Sequence, residues 1–112
     1  MKFSSSEDTQ QAAAKLVETA KAHGYTYDQA AAADNHAEVY VLFRDDTELT
    51  VKFRTTEKKI DVFVGARHTD SETGTKTILK HDTWRIKSRI KLNEVIRDID
   101  PKYLETTGLM AA

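Results

Sequence analysis

The chain has 112 residues, with 17 basic and 18 acidic side chains and a net charge of −1, which excludes a general electrostatic attraction to nucleic acid or anionic lipid. It contains no cysteine, which excludes disulfides, thiol catalysis and thiolate metal sites and is typical of a reducing compartment. The length predicts one domain over residues 1–112, and the lack of a secretory leader or of an apolar run near 20 residues predicts a cytoplasmic protein without membrane association.

The first predicted element is a helix from about Glu7 to His23. Ser4, Ser5 and Ser6 precede two acidic residues, a pattern typical of a helix start. Gly24 follows and favours the left-handed conformation that ends many helices. The apolar residues recur every three or four positions and predict one narrow, alanine-rich packing face: Ala12, Ala13, Leu16, Val17 and Ala20.

The segment 25–36 has mixed propensities. Tyr25, Thr26 and Tyr27 favour a strand, whereas the run Ala30–Ala33 favours a helix. Asp34 and Asn35 are typical of a turn. We favour an additional first strand here and keep the helix as the alternative.

Three stretches alternate apolar and polar residues and predict an antiparallel β-meander, with strands over Ala37–Arg44, Glu48–Arg54 and Lys59–Arg67. Short polar breaks separate them, as in a series of hairpins. The residues predicted to face the core are Val39, Val41, Phe43, Leu49, Val51, Phe53, Ile60, Val62, Val64 and Ala66.

This assignment predicts how charged residues pair across the strands. A three-residue turn over 45–47 places Arg44 opposite Glu48, Tyr40 opposite Lys52, and Glu38 opposite Arg54. A two-residue turn at Thr56 and Glu57, or its four-residue variant, then places Lys52 opposite Asp61. Opposite charges meet three times, so most charge on the outer side of the meander is predicted to be compensated within it.

The polar segment 68–77 predicts a loop or the tip of a longer hairpin, and Ile78 and Leu79 predict a short fourth strand. The sequence beyond Trp84 fits either a strand or a helix, and we favour a strand to about Ile90 and a helix from about Leu92. In the strand, Trp84, Ile86, Ser88, Ile90 and Leu92 face inward while four cations form a basic ladder: Arg85, Lys87, Arg89 and Lys91. In the helix those cations scatter around the axis.

Asp100 and Pro101 predict a further helical turn that buries Tyr103 and Leu104 and ends near Gly108. The predicted fold class is therefore α+β: an N-terminal helix, an antiparallel meander of four or five strands, and a C-terminal helix, with the helices on one sheet face.

No motif in the chain specifies a reaction or a cofactor, so the favoured interpretation is a small non-catalytic protein-binding domain of the regulator, inhibitor or adaptor type, with no metal and no cofactor. A homodimer through an edge strand or the C-terminal segment is one version of it. The candidate binding residues are exposed on the predicted sheet or its loop: Tyr40, Phe63, His68, Asp70 and Glu72.

Two alternatives remain open. A nucleic-acid-binding protein would use a basic strand face made of Lys52, Arg54, Arg85, Lys87, Arg89 and Lys91, with aromatic side chains for stacking. A small enzyme or metal-binding protein would use the 68–81 region, where His68, Asp70, Glu72 and His81 supply nitrogen and oxygen donors.

Overall fold

The computed structural model describes residues 2–28 and 37–104. The chain is an α+β fold in which a five-stranded antiparallel sheet lies between an N-terminal and a C-terminal helix in sequence. Its elements are a π-helical turn Ser5–Thr9, α1 Gln10–Ala22, β1 Thr26–Asp28, β2 Ala37–Arg44, β3 Thr47–Thr55, β4 Ile60–Thr69, β5 Lys76–Ile86, α2 Arg89–Ile99 and a second π-helical turn Asp100–Leu104. The predicted fold class is confirmed.

The strands lie in sequence order, β1-β2-β3-β4-β5, so each pairs with its neighbour along the chain. Both helices pack on the same side of this meander, because alternate strand residues and one stripe of each helix are apolar. The helical part of the core is Ala12, Ala13, Leu16, Ala20, Leu92, Val95, Ile96 and Ile99, and the strand part is Leu42, Leu49, Val51, Phe53, Ile60, Val62, Val64, Ala66 and Ile86.

The N-terminal helix begins as its polar start predicts. The Glu7 amide donates to the Ser4 hydroxyl at 3.4 Å, and the Ser4 amide donates to the Asp8 carboxylate at 2.7 Å. The first turn is wider than expected, since α-helical geometry begins only at Gln10. Gly24 has φ of +90° and ends the helix, which confirms its predicted role.

The additional first strand is also confirmed. Residues 26–28 form β1 and pair with residues 41–43 of β2. Tyr25, just before β1, is buried. The proposed alternative helix at Ala30–Ala33 and the turn at Asp34 and Asn35 lie outside the described residues.

The predicted orientation of β2 is wrong. Asp45 has φ of +54°, a conformation that aspartate tolerates better than most residues, so Asp45 and Asp46 close the hairpin in two residues instead of three. Leu42 therefore lies opposite Leu49 and is fully buried. A slip of one residue reverses both faces of a strand, so Val39, Val41 and Phe43 point away from the core.

The predicted charge pairs fail with that register. The observed partners of Arg44, Tyr40 and Glu38 on β3 are Thr47, Val51 and Phe53. Between β3 and β4, a four-residue loop over 56–59 places Arg54 opposite Asp61, and Phe63 opposite Lys52. The predicted pairing of β3 with β4 is therefore displaced by two residues. A displacement of two residues leaves each side chain on the same face, so the inward residues predicted for β3 and β4 are confirmed.

The predicted hairpin tip is confirmed, but the strand after it is continuous and ends earlier. β5 runs from Lys76 to Ile86, with a bulge where Arg67 pairs with Ile78 and Ala66 with Lys80. Ser88 then caps α2 by accepting a hydrogen bond from the Lys91 amide at 3.1 Å. The predicted strand to Ile90 is therefore wrong beyond Ile86. The predicted basic ladder is wrong too, because Arg89 and Lys91 are on α2 and Lys87 lies before it.

The last described turn, Asp100–Leu104, buries Tyr103 and Leu104 as predicted. The Tyr103 hydroxyl donates to the Asp82 carboxylate, and the Tyr25 hydroxyl donates to the Tyr103 carbonyl at 3.0 Å. The predicted end at Gly108 lies outside the described residues. None of the helices within residues 2–28 and 37–104 has the length and apolar character needed to cross a bilayer.

Candidate functional site

The sheet side that points away from the two helices is the best candidate for a binding surface, and we call it the outer face. None of the described elements packs on it. The register assigns to it Val39, Val41 and Phe43 from β2, Glu48, Thr50, Lys52 and Arg54 from β3, Asp61, Phe63, Gly65 and Arg67 from β4, and Lys76, Ile78, His81, Thr83 and Arg85 from β5.

Phe63 lies near the centre of the outer face. Its ring stacks on the His81 imidazole with 6.5 Å between centroids and 21° between planes. The Lys52 ammonium is 5.8 Å from the ring centroid. Gly65 makes room for this ring, since a Cβ there would stand 3.1 Å from two of its carbons. The ring therefore extends along the sheet over Gly65.

A depression of about 200 Å³ lies beside the ring. Thr50, Gly65 and His81 are paired across β3, β4 and β5 beside this ring. Their side chains are short or flat, so they leave a depression in the outer face. Phe63 lines one wall, and Ile78 and Arg67 line the opposite one. The depression can hold an apolar group, since a cavity of about 150 Å³ holds benzene.

The outer face is more basic than the chain as a whole. Its strands carry five cations, Lys52, Arg54, Arg67, Lys76 and Arg85, against two carboxylates, Glu48 and Asp61. The Lys76 ammonium pairs with Glu48 at 3.1 Å, and the Arg85 guanidinium and the Lys59 ammonium each pair with Asp61 at 3.4 Å. In the described part of the chain, Lys52, Arg54 and Arg67 form no ion pair.

Among the predicted protein-binding residues, Phe63 is on the outer face but Tyr40 is not. The reversed register turns Tyr40 to the helix side, where its ring lies 5.9 Å from that of Phe53, so its predicted outward orientation is wrong. Its hydroxyl donates to Glu38 at 3.0 Å. Burial, and then this hydrogen bond, raise the pKa of Tyr40 to about 12.

The other three candidates lie near the β4–β5 hairpin tip, away from Phe63. His68 pairs with Thr47 and Thr77, on the side of β4 opposite to the outer face. The Asp70 carboxylate accepts the amides of Glu72 at 2.8 Å and Thr73 at 3.3 Å, and these hydrogen bonds lower the pKa of Asp70. Asp70 thus shapes the turn, and Glu72 is exposed at its tip.

The six cations of the nucleic-acid alternative are divided. Lys52, Arg54 and Arg85 share the outer face, whereas Lys87 lies in the link between β5 and α2. Lys91 is on α2 and lies 3.8 Å from Glu94.

Arg89 serves as a structural clamp at the start of α2. Its guanidinium donates to both Asp8 oxygens at 2.7 and 3.2 Å and to the Lys2 carbonyl at 2.6 Å. The hydrogen bond from Arg89 is the largest cause of the lowered pKa of Asp8. Arg89 therefore ties α2 to the π-helical turn before α1 and to the N-terminal segment.

The proposed metal donors do not converge. Within residues 2–28 and 37–104, no three histidine, aspartate or glutamate side chains come close enough to hold a metal ion. His81 is on the outer face, while His68 points to the opposite side of the sheet.

Sequence analysis missed several outer-face residues: Val41, Phe43, Gly65, Arg67 and Ile78. The signal for β2 was ambiguous, because residues 39–43 are apolar on both sides of the strand. The positive φ of Asp45 decides between the two registers. Ile78 is directed outward by the bulge near Leu79, which alternation alone does not reveal.

Comparisons of this chain with protein-family models, curated proteins and solved structures found no match.

Proposed function

We propose that this protein is a small non-catalytic binding domain that holds a protein partner on its outer face, acting as a regulator, an inhibitor or an adaptor. The observation that carries the proposal is the exposure of large apolar side chains on that face. Phe43 is 39% and Ile78 is 64% exposed, and Phe63 on the same face is half-buried. Apolar and aromatic groups grouped on one exposed surface are typical of protein interfaces.

The outer face is less suited to binding nucleic acid than to binding a protein. Two carboxylates, Asp61 and Glu48, interrupt its cations and already occupy some of them. The β2 residues that the register turns outward are apolar, so they widen an apolar area and add no phosphate contacts. Arg89, the fifth residue of the predicted basic set, is engaged by Asp8.

Site-specific photo-crosslinking in the native host tests the proposal directly. A photoreactive amino acid at Thr83, on the outer face, is expected to form a covalent adduct with a protein partner. The same amino acid at Asn93, exposed on α2, is the control and is expected to form none. Adducts at Asn93 and none at Thr83 would place the partner elsewhere and refute the proposal.

Two exposed isoleucines allow a matched comparison. Ile78 is on the outer face, and Ile90 is on α2 with 75% of its surface exposed. Ile78→Ser is expected to weaken binding of the captured partner, while Ile90→Ser is expected to leave it unchanged. Calorimetric titration of both purified variants measures the difference, and equal affinities would contradict the assignment of the outer face.

A cytoplasmic location and a homodimer are parts of this proposal that need separate tests. The absence of cysteine supports a reducing compartment, which cell fractionation checks. β5 forms one edge of the described sheet and offers a strand for self-association. Sedimentation velocity at several concentrations would detect a dimer.

A further inference from the structure

We infer that the partner presents an extended acidic segment whose single apolar side chain seats in the depression between Phe63 and Ile78. This inference rests on the proposed function, and it specifies the chemistry of the segment that the outer face takes.

The depression supplies the seat for the apolar side chain. Its volume of about 200 Å³ accommodates one leucine or phenylalanine side chain. Phe63 and Ile78 give it two apolar walls, and Gly65, which the Phe63 ring partly covers, lines it without a side chain. Thr50 has a small side chain and Gly65 has none, so the depression is open towards β3. A peptide segment lying on the sheet can therefore reach it.

The unpaired cations lie on both sides of this seat. Arg67 is two residues from Gly65 along β4, and Lys52 is two residues from Thr50 along β3 in the opposite direction on the sheet. Each step of two residues is about 7 Å. An extended segment has the same spacing between side chains on one face, so acidic residues two positions before and after the apolar residue would reach Arg67 and Lys52.

Charge complementarity favours an acidic protein segment over a second copy of this chain. Two outer faces placed together would bring two net-positive surfaces into contact, each with five cations against two carboxylates. Nucleic acid would satisfy the cations but has no aliphatic side chain for the seat.

Labelled nonapeptides are the probes for this inference. The first has the central sequence Glu-Ser-Leu-Ser-Glu, the second has serine in place of leucine, and the third has lysine in place of both glutamates. A nine-nucleotide oligothymidylate is the nucleic-acid probe. Fluorescence anisotropy with the full chain, repeated at two salt concentrations, measures binding of each.

We expect the glutamate and leucine peptide to bind, the serine peptide to bind about tenfold more weakly because the apolar group is lost, and the lysine peptide not to bind. Arg67→Glu and Ile78→Ser in the protein are each expected to weaken the first peptide. Lys15→Glu, an exposed change on α1, and Ile90→Ser are matched controls expected to leave it unchanged.

The possible results separate this inference from the proposed function. A partner captured at Thr83 together with no binding of the glutamate and leucine peptide would overturn the inference and leave the function standing. Equal affinity for the leucine and serine peptides would overturn the apolar seat. Tighter binding of oligothymidylate than of any peptide would overturn both.

Discussion

The most direct test of the sheet register compares Leu42→Ala with Val41→Ala. Leu42 is fully buried opposite Leu49, so truncating it removes apolar contacts and leaves a cavity between the sheet and the helices. Such leucine-to-alanine changes cost about 2 to 5 kcal/mol of the free energy of unfolding. Val41 is a smaller side chain on the outer face and is only partly buried, so its truncation is expected to cost roughly 0.5 to 1 kcal/mol.

Equilibrium unfolding in urea measures both costs, provided that the slope with denaturant stays constant across the variants. Leu49→Ala is the control, because Leu49 faces the core in both registers and must show a large cost in either case. Domains of this kind are stable by about 5 to 15 kcal/mol, so the difference between the two β2 variants is readily resolved. A cost for Val41→Ala equal to or above that of Leu42→Ala would refute the two-residue turn and restore the opposite orientation of β2.

Three further predictions concern pH and backbone conformation. The pKa of Asp8 is held below its ordinary 3.8 mainly by the hydrogen bond from Arg89, so the stability it contributes is present above that value and lost as pH falls through the lowered pKa. Asp8→Asn should therefore lower the melting temperature at pH 7 and make it fall less steeply towards pH 2; parallel curves would count against this. Because the pKa of Tyr40 is raised to about 12 from 10.0, its contribution is complete below pH 10 and declines between pH 10 and 12. Tyr40→Phe should lose less stability over that interval in urea titrations, and an unchanged alkaline loss would speak against the buried hydroxyl. Gly24→Ala places a side chain at φ of +90° and should cost about 1 kcal/mol in the same assay, whereas no cost would mean that α1 ends differently.

The parts of the fold that were predictable have charged residues on one side of a strand and apolar residues on the other. In β3, Lys52 and Arg54 alternate with Val51 and Phe53, so the buried side was identified even though the predicted pairing with β4 was displaced by two residues. In β2 both sides are apolar, and the conformation of one turn residue, Asp45, determines which side is buried. Sequence periodicity contains no information about that dihedral angle.

The boundary between β5 and α2 was hard to predict for a related reason. Ile86 and Ile90 fit an alternating strand, but Ser88 caps a helix between them, and Ile90 is exposed on its first turn. Of the candidate site, Phe63 and Lys52 were identified from alternation. Ile78 was missed because its outward direction depends on a bulge that forms only when β4 and β5 pair.

The order of the strands has a consequence for how the protein folds. Each described strand pairs with its neighbour along the chain, so the sheet can form through successive local hairpins, and local contacts form faster than contacts between distant residues. The hydrogen bond from Tyr25 to the Tyr103 carbonyl joins residues 78 positions apart, so it closes a long loop of the chain. Such contacts bear the largest entropic cost of closure, so we expect them to form after the meander. Weakening these late-forming contacts should mainly accelerate unfolding. The contact between Tyr25 and Tyr103 would then set how long the protein stays folded.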